Sequence, residues 1–177
     1  MSRSPVTHQL VTLEAITKEQ APVLSNLFEL YVHDFSEHVP CQLKANGRFD
    51  LSIDERWWTD AEHFPFLVRH GSELCGFVLA RRGSRVSADV DAMDVAEFFI
   101  VRGARRKGAG MAAAHALFTR FPGRWEMRVR RTNGAAMSFW VRVAAAWLGA
   151  EAVPTPFSAQ GVTWGVVRVD SLTAPAR

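Results

Sequence analysis

The run Arg102-Gly103-Ala104-Arg105-Arg106-Lys107-Gly108-Ala109-Gly110 constrains the fold more than any other stretch of this chain. It follows an apolar segment, Val95 to Val101, that reads as a buried strand, and precedes Met111 to Phe121, which reads as a helix. A strand, a basic glycine-rich turn and a helix together form an anion cradle. The first helical N–H groups lack intrahelical partners, and the helix dipole favours negative charge there. Gly108 and Gly110 allow close backbone approach, and Arg105, Arg106 and Lys107 can pair with phosphate oxygens. The expected ligand is a phosphate-bearing cofactor.

The rest of the chain supplies material for one domain over residues 1–177. Its hydrophobic fraction is 48% and its formal charge only +3, too weak for a nucleic-acid signature. The two cysteines, Cys41 and Cys75, read as reduced thiols. Neither a signal-peptide core nor an apolar stretch of ~20 residues is present, so the expectation is a cytoplasmic protein without a membrane partner.

Periodicity predicts the order of elements. His8 to Ile16 alternates as a strand. Thr17 caps a helix striped by Val23, Leu24, Leu27, Phe28, Leu30 and Tyr31, and Asp34 to Phe49 is a turn-rich connection. Ile53 to Glu62 is expected to be a short helix. Phe64–His70 and Leu74–Arg82 form a hairpin, and Gly83 to Asp91 is a loop into the strand from Ala92 to Val101. The next helix, Lys107 to Phe121, is expected to turn Met111, Ala114, Phe118 and Phe121 inward. Arg124 to Arg130 alternates Trp125, Met127 and Val129 against charged residues, which predicts one solvated face. Asn133 caps a helix from Ala135 to Leu148, and Val162 to Val169 pairs with Ala152 to Phe157. Strands joined by helical crossovers predict an α/β fold: a mixed sheet with helices on both faces. Exposed edge strands near Val162–Val169 could pair between subunits, which would make a homodimer. Met1 to Thr7 and Thr173 to Arg177 read as frayed ends.

Arg105-Arg106-Lys107-Gly108-Ala109-Gly110 resembles the Gln/Arg-x-x-Gly-x-Gly/Ala loop of the GNAT N-acetyltransferase superfamily, and Asn133 to Trp140 resembles its Asn-x-x-Ala-x-x-x-Tyr segment. Motif support covers residues 92–150. The resemblance implies a central twisted sheet whose strands at Glu97–Val101 and Trp125–Arg130 splay apart around acetyl-CoA. Backbone groups of Phe98 and Ile100 would pair with the pantetheine arm, amides from Arg106 to Met111 would hold the pyrophosphate, and Asn133 would touch the cofactor. An N–H near Ile100 would serve the oxyanion. The implied activity is direct acetyl transfer to an amine, a small-molecule primary amine in preference to a protein N-terminus or lysine, with no nucleic acid involved.

The chemistry needs a proton acceptor, an oxyanion donor and a proton for the leaving thiolate. Glu97 is a carboxylate inside an apolar strand. It is either the base, its pKa raised by desolvation, or the partner of an arginine such as Arg128 or Arg130. Where the family usually has tyrosine, this chain has Trp140, which has no acidic proton. Trp140 is a core residue or part of the acceptor pocket. Ser138 is a conceivable donor on another helical face. Tyr31, the only tyrosine, is the remaining phenol, and Tyr31 and Asp34 are candidates to line the acceptor site, with Asp34 attracting a cationic amine. Trp57-Trp58 is expected to pack against the core, with a pocket wall as the alternative. The rival readings are a non-catalytic acyl-CoA-binding module of the same fold and an arginine-based nucleic-acid binder.

Overall fold

A computed structural model describes residues 10–49 and 51–173. Strand β1 (Val11–Ala15) is followed by a 3-10 turn (Lys18–Gln20) and helix α1 (Ala21–Phe35). The Gln20 side chain accepts from the Thr17 N–H at 3.0 Å, closing the capping arrangement that starts this segment. The one-turn helix α2 (Arg56–Thr59) leads to the hairpin of β2 (His63–His70) and β3 (Glu73–Arg82). Strand β4 (Met93–Ile100), helix α3 (Ala109–Arg120), strand β5 (Arg124–Arg130) and helix α4 (Gly134–Leu148) follow, and the chain closes with β6 (Thr155–Ala159) and β7 (Val162–Asp170). The predicted strand at His8 and Gln9 and most of the predicted frayed ends lie outside the described residues.

The strands form a seven-stranded sheet in the order β1-β2-β3-β4-β5-β7-β6. All neighbours are antiparallel except β4 and β5, whose parallel pairing requires the α3 crossover. The expected mixed sheet with helices on both faces is thus observed. One face packs Val78, Met127 and Val129 against Leu117, Phe118 and Val143 of α3 and α4. The other packs Phe77, Leu79 and Phe99 against Leu24 and Leu27 of α1. β3 is apolar on both faces because both are covered. Among the described residues, no helix is long and apolar enough to cross a membrane.

Four expectations are corrected. First, β7 lies between β5 and β6, so Val162–Val169 is not an edge available to a second subunit. The edge is β6, which carries Pro156 and so lacks a donor there. Second, α3 starts at Ala109, not Lys107, because Arg106 (φ 60°) and Gly108 (φ 88°) are left-handed. Its buried face is Ala109, Ala113, Ala114, Leu117 and Phe118, while Met111 and Phe121 are only half-buried. Third, the charged face of β5 is covered. Glu126 is 4% exposed, and Arg128 and Arg130 lie over the Trp164 ring at 5.4 and 5.0 Å. Finally, the helix expected over Ile53–Glu62 is a single turn, and α1 continues through Asp34.

A β-bulge in β4 positions the site. The register with β3 passes from Ala80↔Val95 to Leu79↔Glu97, leaving Ala96 as the extra residue. The parity of the strand therefore resets. Met93 and Val95 share the α3/α4 face with Phe98 and Ile100, while Asp94 and Glu97 both face α1 and α2. Pairing of β4 with β5 also stops here, at Val95↔Met127. Beyond that pair the two strands diverge.

Candidate active site

The divergence of β4 from β5 opens a gap lined by main chain. The Val101 N–H donates to the Cys75 carbonyl of β3 at 2.9 Å. By strand alternation, the peptide groups of Phe98 and Ile100 point the other way, into the gap.

At the C-terminal end of β4 the chain forms a cradle. A 3-10 turn (Arg102–Ala104) leads into the left-handed residues Arg106 and Gly108 and then into α3. The loop's backbone bonds run from the Arg105 N–H to the Arg102 carbonyl (3.2 Å) and from the Ala112 N–H to the Gly108 carbonyl (3.0 Å). Between them, the N–H groups of Arg106, Lys107, Gly108, Ala109, Gly110 and Met111 have no acceptor among the described residues. Arg106 and Lys107 are exposed and have no carboxylate partner there. A diphosphate fits this donor set: free amides at a helix start and two uncommitted cations. A side chain at Gly110 would press on the Phe139 ring, 3.1 Å from its ideal Cβ. That glycine therefore serves the close approach of α3 to α4. Gly108 has open space and is needed for its φ alone. Gly108→Val is expected to strain the loop by ~1–2 kcal/mol. Calorimetric titration should show acetyl-CoA affinity at least tenfold weaker, with the rest of the fold intact.

Arg105 does not join the free cations. Its Nε donates to the Ile100 carbonyl at 2.6 Å, and its Nη2 donates to Asp34. Arg102 Nε reaches the other Asp34 oxygen at 2.9 Å. Partial burial works to raise the Asp34 pKa, but the guanidiniums of Arg105 and Arg102 outweigh it and hold the carboxyl below its ordinary value. Two expectations change accordingly. Asp34 is neutralised by arginines and does not offer a free charge to a cationic amine, and the Arg105 side chain staples the loop to the end of α1 instead of facing the cradle.

Glu97 and Tyr31 are brought together. The last turns of α1 pack Tyr31 against Phe77 and Phe99 (ring centroids 5.8 and 6.1 Å), and its hydroxyl donates to Glu97 Oε2. Burial pushes the Glu97 carboxyl up to about 7. The Tyr31 hydrogen bond and Arg128 oppose the rise without cancelling it. Burial, reinforced by Glu97, pushes the Tyr31 phenol far above its ordinary value. The phenol therefore keeps its proton and directs it at Glu97, which leaves Tyr31 as the carboxylate's anchor and not as a free acid. Glu97 sits on a cleft of about 200 Å³ whose walls include Phe28, Trp57, Arg81, Arg85 and Arg128.

Asn133 caps α4, its Oδ1 accepting from the Ala136 N–H at 2.9 Å. Trp140 is 5% exposed and packs against Phe98 and Phe139 (centroids 5.1 and 5.0 Å). It lies in the α3/α4 core, on the opposite side of the sheet from the Glu97 cleft, so its placement in the acceptor pocket is corrected. Trp57 does line the cleft. Arg128 was expected beside Glu97, but Arg81 and Arg85 were not. The only available signal was charge inside apolar runs, at Arg81 and Asp94, which pair across β3 and β4.

A family described as "Acetyltransferase (GNAT) family" matches residues 24–144. No curated protein matches the chain. Among solved structures, an acetyltransferase from Thermus thermophilus is 18% identical, with TM-score 0.67, covering 91% of this chain and 97% of that one. A Vibrio cholerae spermidine N-acetyltransferase in complex with CoA and spermine is 12% identical, with TM-score 0.63 and coverage of 92% and 96%. An aminoglycoside N(6')acetyltransferase from Legionella pneumophila is 13% identical, with TM-score 0.61 and coverage of 94% and 95%.

Proposed function

We propose direct N-acetylation of a small-molecule primary amine, with Glu97 as the base, for this chain, which belongs to the acetyltransferase (GNAT) family by the match over residues 24–144. Acetyl-CoA, when bound, supplies the activated acetyl group. The amides from Arg106 to Met111, with Arg106 and Lys107, would hold its diphosphate. Phe98 would present its peptide groups, and Ile100 its N–H, to its extended arm, the Ile100 carbonyl being taken by Arg105, and Asn133, by fixing the start of α4, would shape the far wall. The Glu97 carboxylate takes the proton that an ammonium must lose before it can attack, and Tyr31 holds that carboxylate in place. The observation that carries the reading is the Glu97–Tyr31 pair at the point where β4 leaves β5, with the Glu97 pKa raised to about 7. A base with that pKa is half-ionised near neutrality, which suits proton transfer.

The reading treats residues 1–177 as one catalytic domain. It places the protein in the cytoplasm, in keeping with the free thiols of Cys41 and Cys75. Solved relatives of this fold named for spermidine and aminoglycoside acetylation support a small amine. The test is free-CoA release across a panel of primary amines. Wild type should turn over at least one of them, and Glu97→Gln should bind acetyl-CoA equally well with turnover at least a hundredfold slower. Binding without release by either protein would favour the acyl-CoA-binding module.

Trp140 enters this scheme only as packing. Trp140→Phe is expected to keep kcat within threefold of wild type while lowering the melting temperature by a few degrees, the cost of imperfect refilling. A hundredfold loss of kcat with an unchanged melting curve would instead give the indole a part in the chemistry.

A further inference from the structure

The walls of the Glu97 cleft carry more guanidinium than carboxylate. Arg56 is matched by Asp54, at 2.6 Å with further hydrogen bonds. Arg81 is matched by Asp94, a pair 8% and 1% exposed. Two cations remain. Arg128 has no carboxylate of its own: its Nη2 lies 3.7 Å from the Asp94 oxygen already taken by Arg81, and its buried Nε has no hydrogen-bond partner among the described residues. Arg85 has no ion pair or hydrogen bond among the described residues. Burial, then Arg81 and Arg128, pulls its pKa below the ordinary value, as expected of a cation crowded by others.

The backbone that carries Arg85 is held in place, while the side chain itself is exposed. Its loop, residues 83–91, is tied to β5 by the Ser84 hydroxyl donating to Glu126 and by Arg124 meeting Asp89 at 2.6 Å. Ser84 Oγ in turn accepts from the Val86 and Ser87 N–H groups at 2.8 and 3.0 Å. Arg168 holds Glu126 from the other side at 2.8 Å. An unpaired cation on a pinned loop, in one cleft with a second guanidinium whose carboxylate partner, Asp94, is shared with Arg81, is a receptor for an oxyanion.

We infer that the acceptor amine carries an anionic group, a carboxylate or a phosphate, which Arg85 and Arg128 hold while the amine meets Glu97. The inference rests on the acetyl-transfer reading above. It makes a polycationic amine the wrong substrate, because its distal ammonium would face guanidinium with no free carboxylate.

The test uses four amines of similar length: 4-aminobutanoate, 3-aminopropylphosphonate, butylamine and 1,4-diaminobutane. Each is added to the CoA-loaded protein for thermal melting and to the acetyl-CoA-loaded protein for CoA release. One or both anionic amines should raise the midpoint, and which one does so separates carboxylate from phosphate. Their kcat/KM should exceed that of 1,4-diaminobutane at least tenfold. Arg85→Ala should remove the melting shift and raise KM for the anionic amine at least tenfold, and be partly rescued by Arg85→Lys. Equal shifts for all four amines, or a preference for the diamine, overturns the inference while leaving acetyl transfer standing. Selective anion binding without release from any amine would uphold the receptor and count against transfer.

Discussion

Glu97→Gln is expected to lower kcat by roughly 10²- to 10⁴-fold, the usual value of a positioned general base, without altering acetyl-CoA affinity. The pH dependence carries the sign of the mechanism. Burial lifts the Glu97 carboxyl from 4.5 to about 7, and a base works only when deprotonated. Wild-type kcat/KM should therefore fall about tenfold per pH unit below about 7 and level off above it, and the glutamine variant should lack that limb. Folding responds in the opposite sense. A carboxyl whose pKa is raised in the native state binds more protons there than in the unfolded chain across the window from 4.5 to 7. Stability is lost as pH rises through that window, by an amount on the order of 1–3 kcal/mol. Glu97→Gln removes this penalty while its amide oxygen still accepts from Tyr31. The variant should therefore melt no lower than wild type at pH 8. A wild-type rate that is level between pH 5.5 and 8 would exclude Glu97 as the base.

The largest stability effect should come from Asp94→Ala. Asp94 is 1% exposed and accepts from Arg81, which faces it across the β3–β4 pair, with Arg128 3.7 Å away. Removing the carboxylate leaves two guanidiniums largely out of water without the carboxylate that pairs with both, which costs about 3–5 kcal/mol. For a chain of this size that is a drop in the melting midpoint of about 10 °C. Replacing both partners, Asp94→Leu with Arg81→Met, should recover much of the loss, because the desolvation cost of the pair disappears with it. A shift under 2 °C for Asp94→Ala would mean that water reaches these arginines freely. That would also weaken the case for a preorganised cation pair in the cleft.

The structure separates what was local from what was not. The turn from Arg105 to Gly110 and the helix after it were legible because their signals are local: a glycine that can take φ 88°, basic neighbours and a following helical period. Asn133 was legible for the same reason, as a cap contacts residues three positions away. The roles of Arg105 and Asp34 were not, since their bond joins residues 71 positions apart in the chain. The charged face of β5 was misread as solvated because alternation reports which residues share a face and not what covers it. At Glu126 the cover is the loop from residue 83 to 91, and Arg128 and Arg130 lie over Trp164.

Glu97 shows the division most clearly. Its presence as a carboxylate in an apolar strand, and hence its standing as a candidate base, came from the chain alone. Its direction came from the bulge at Ala96, which puts Glu97 on the same face as Asp94 and parts β4 from β5. Simple alternation from Met93 would have turned Glu97 into the α3/α4 core. Short-range chemistry, in caps, turns and periodicity, is written within a few residues and can be read there. Strand register, the partner of a charge and the depth of its burial depend on segments far apart in the chain, and only the packed fold brings these together.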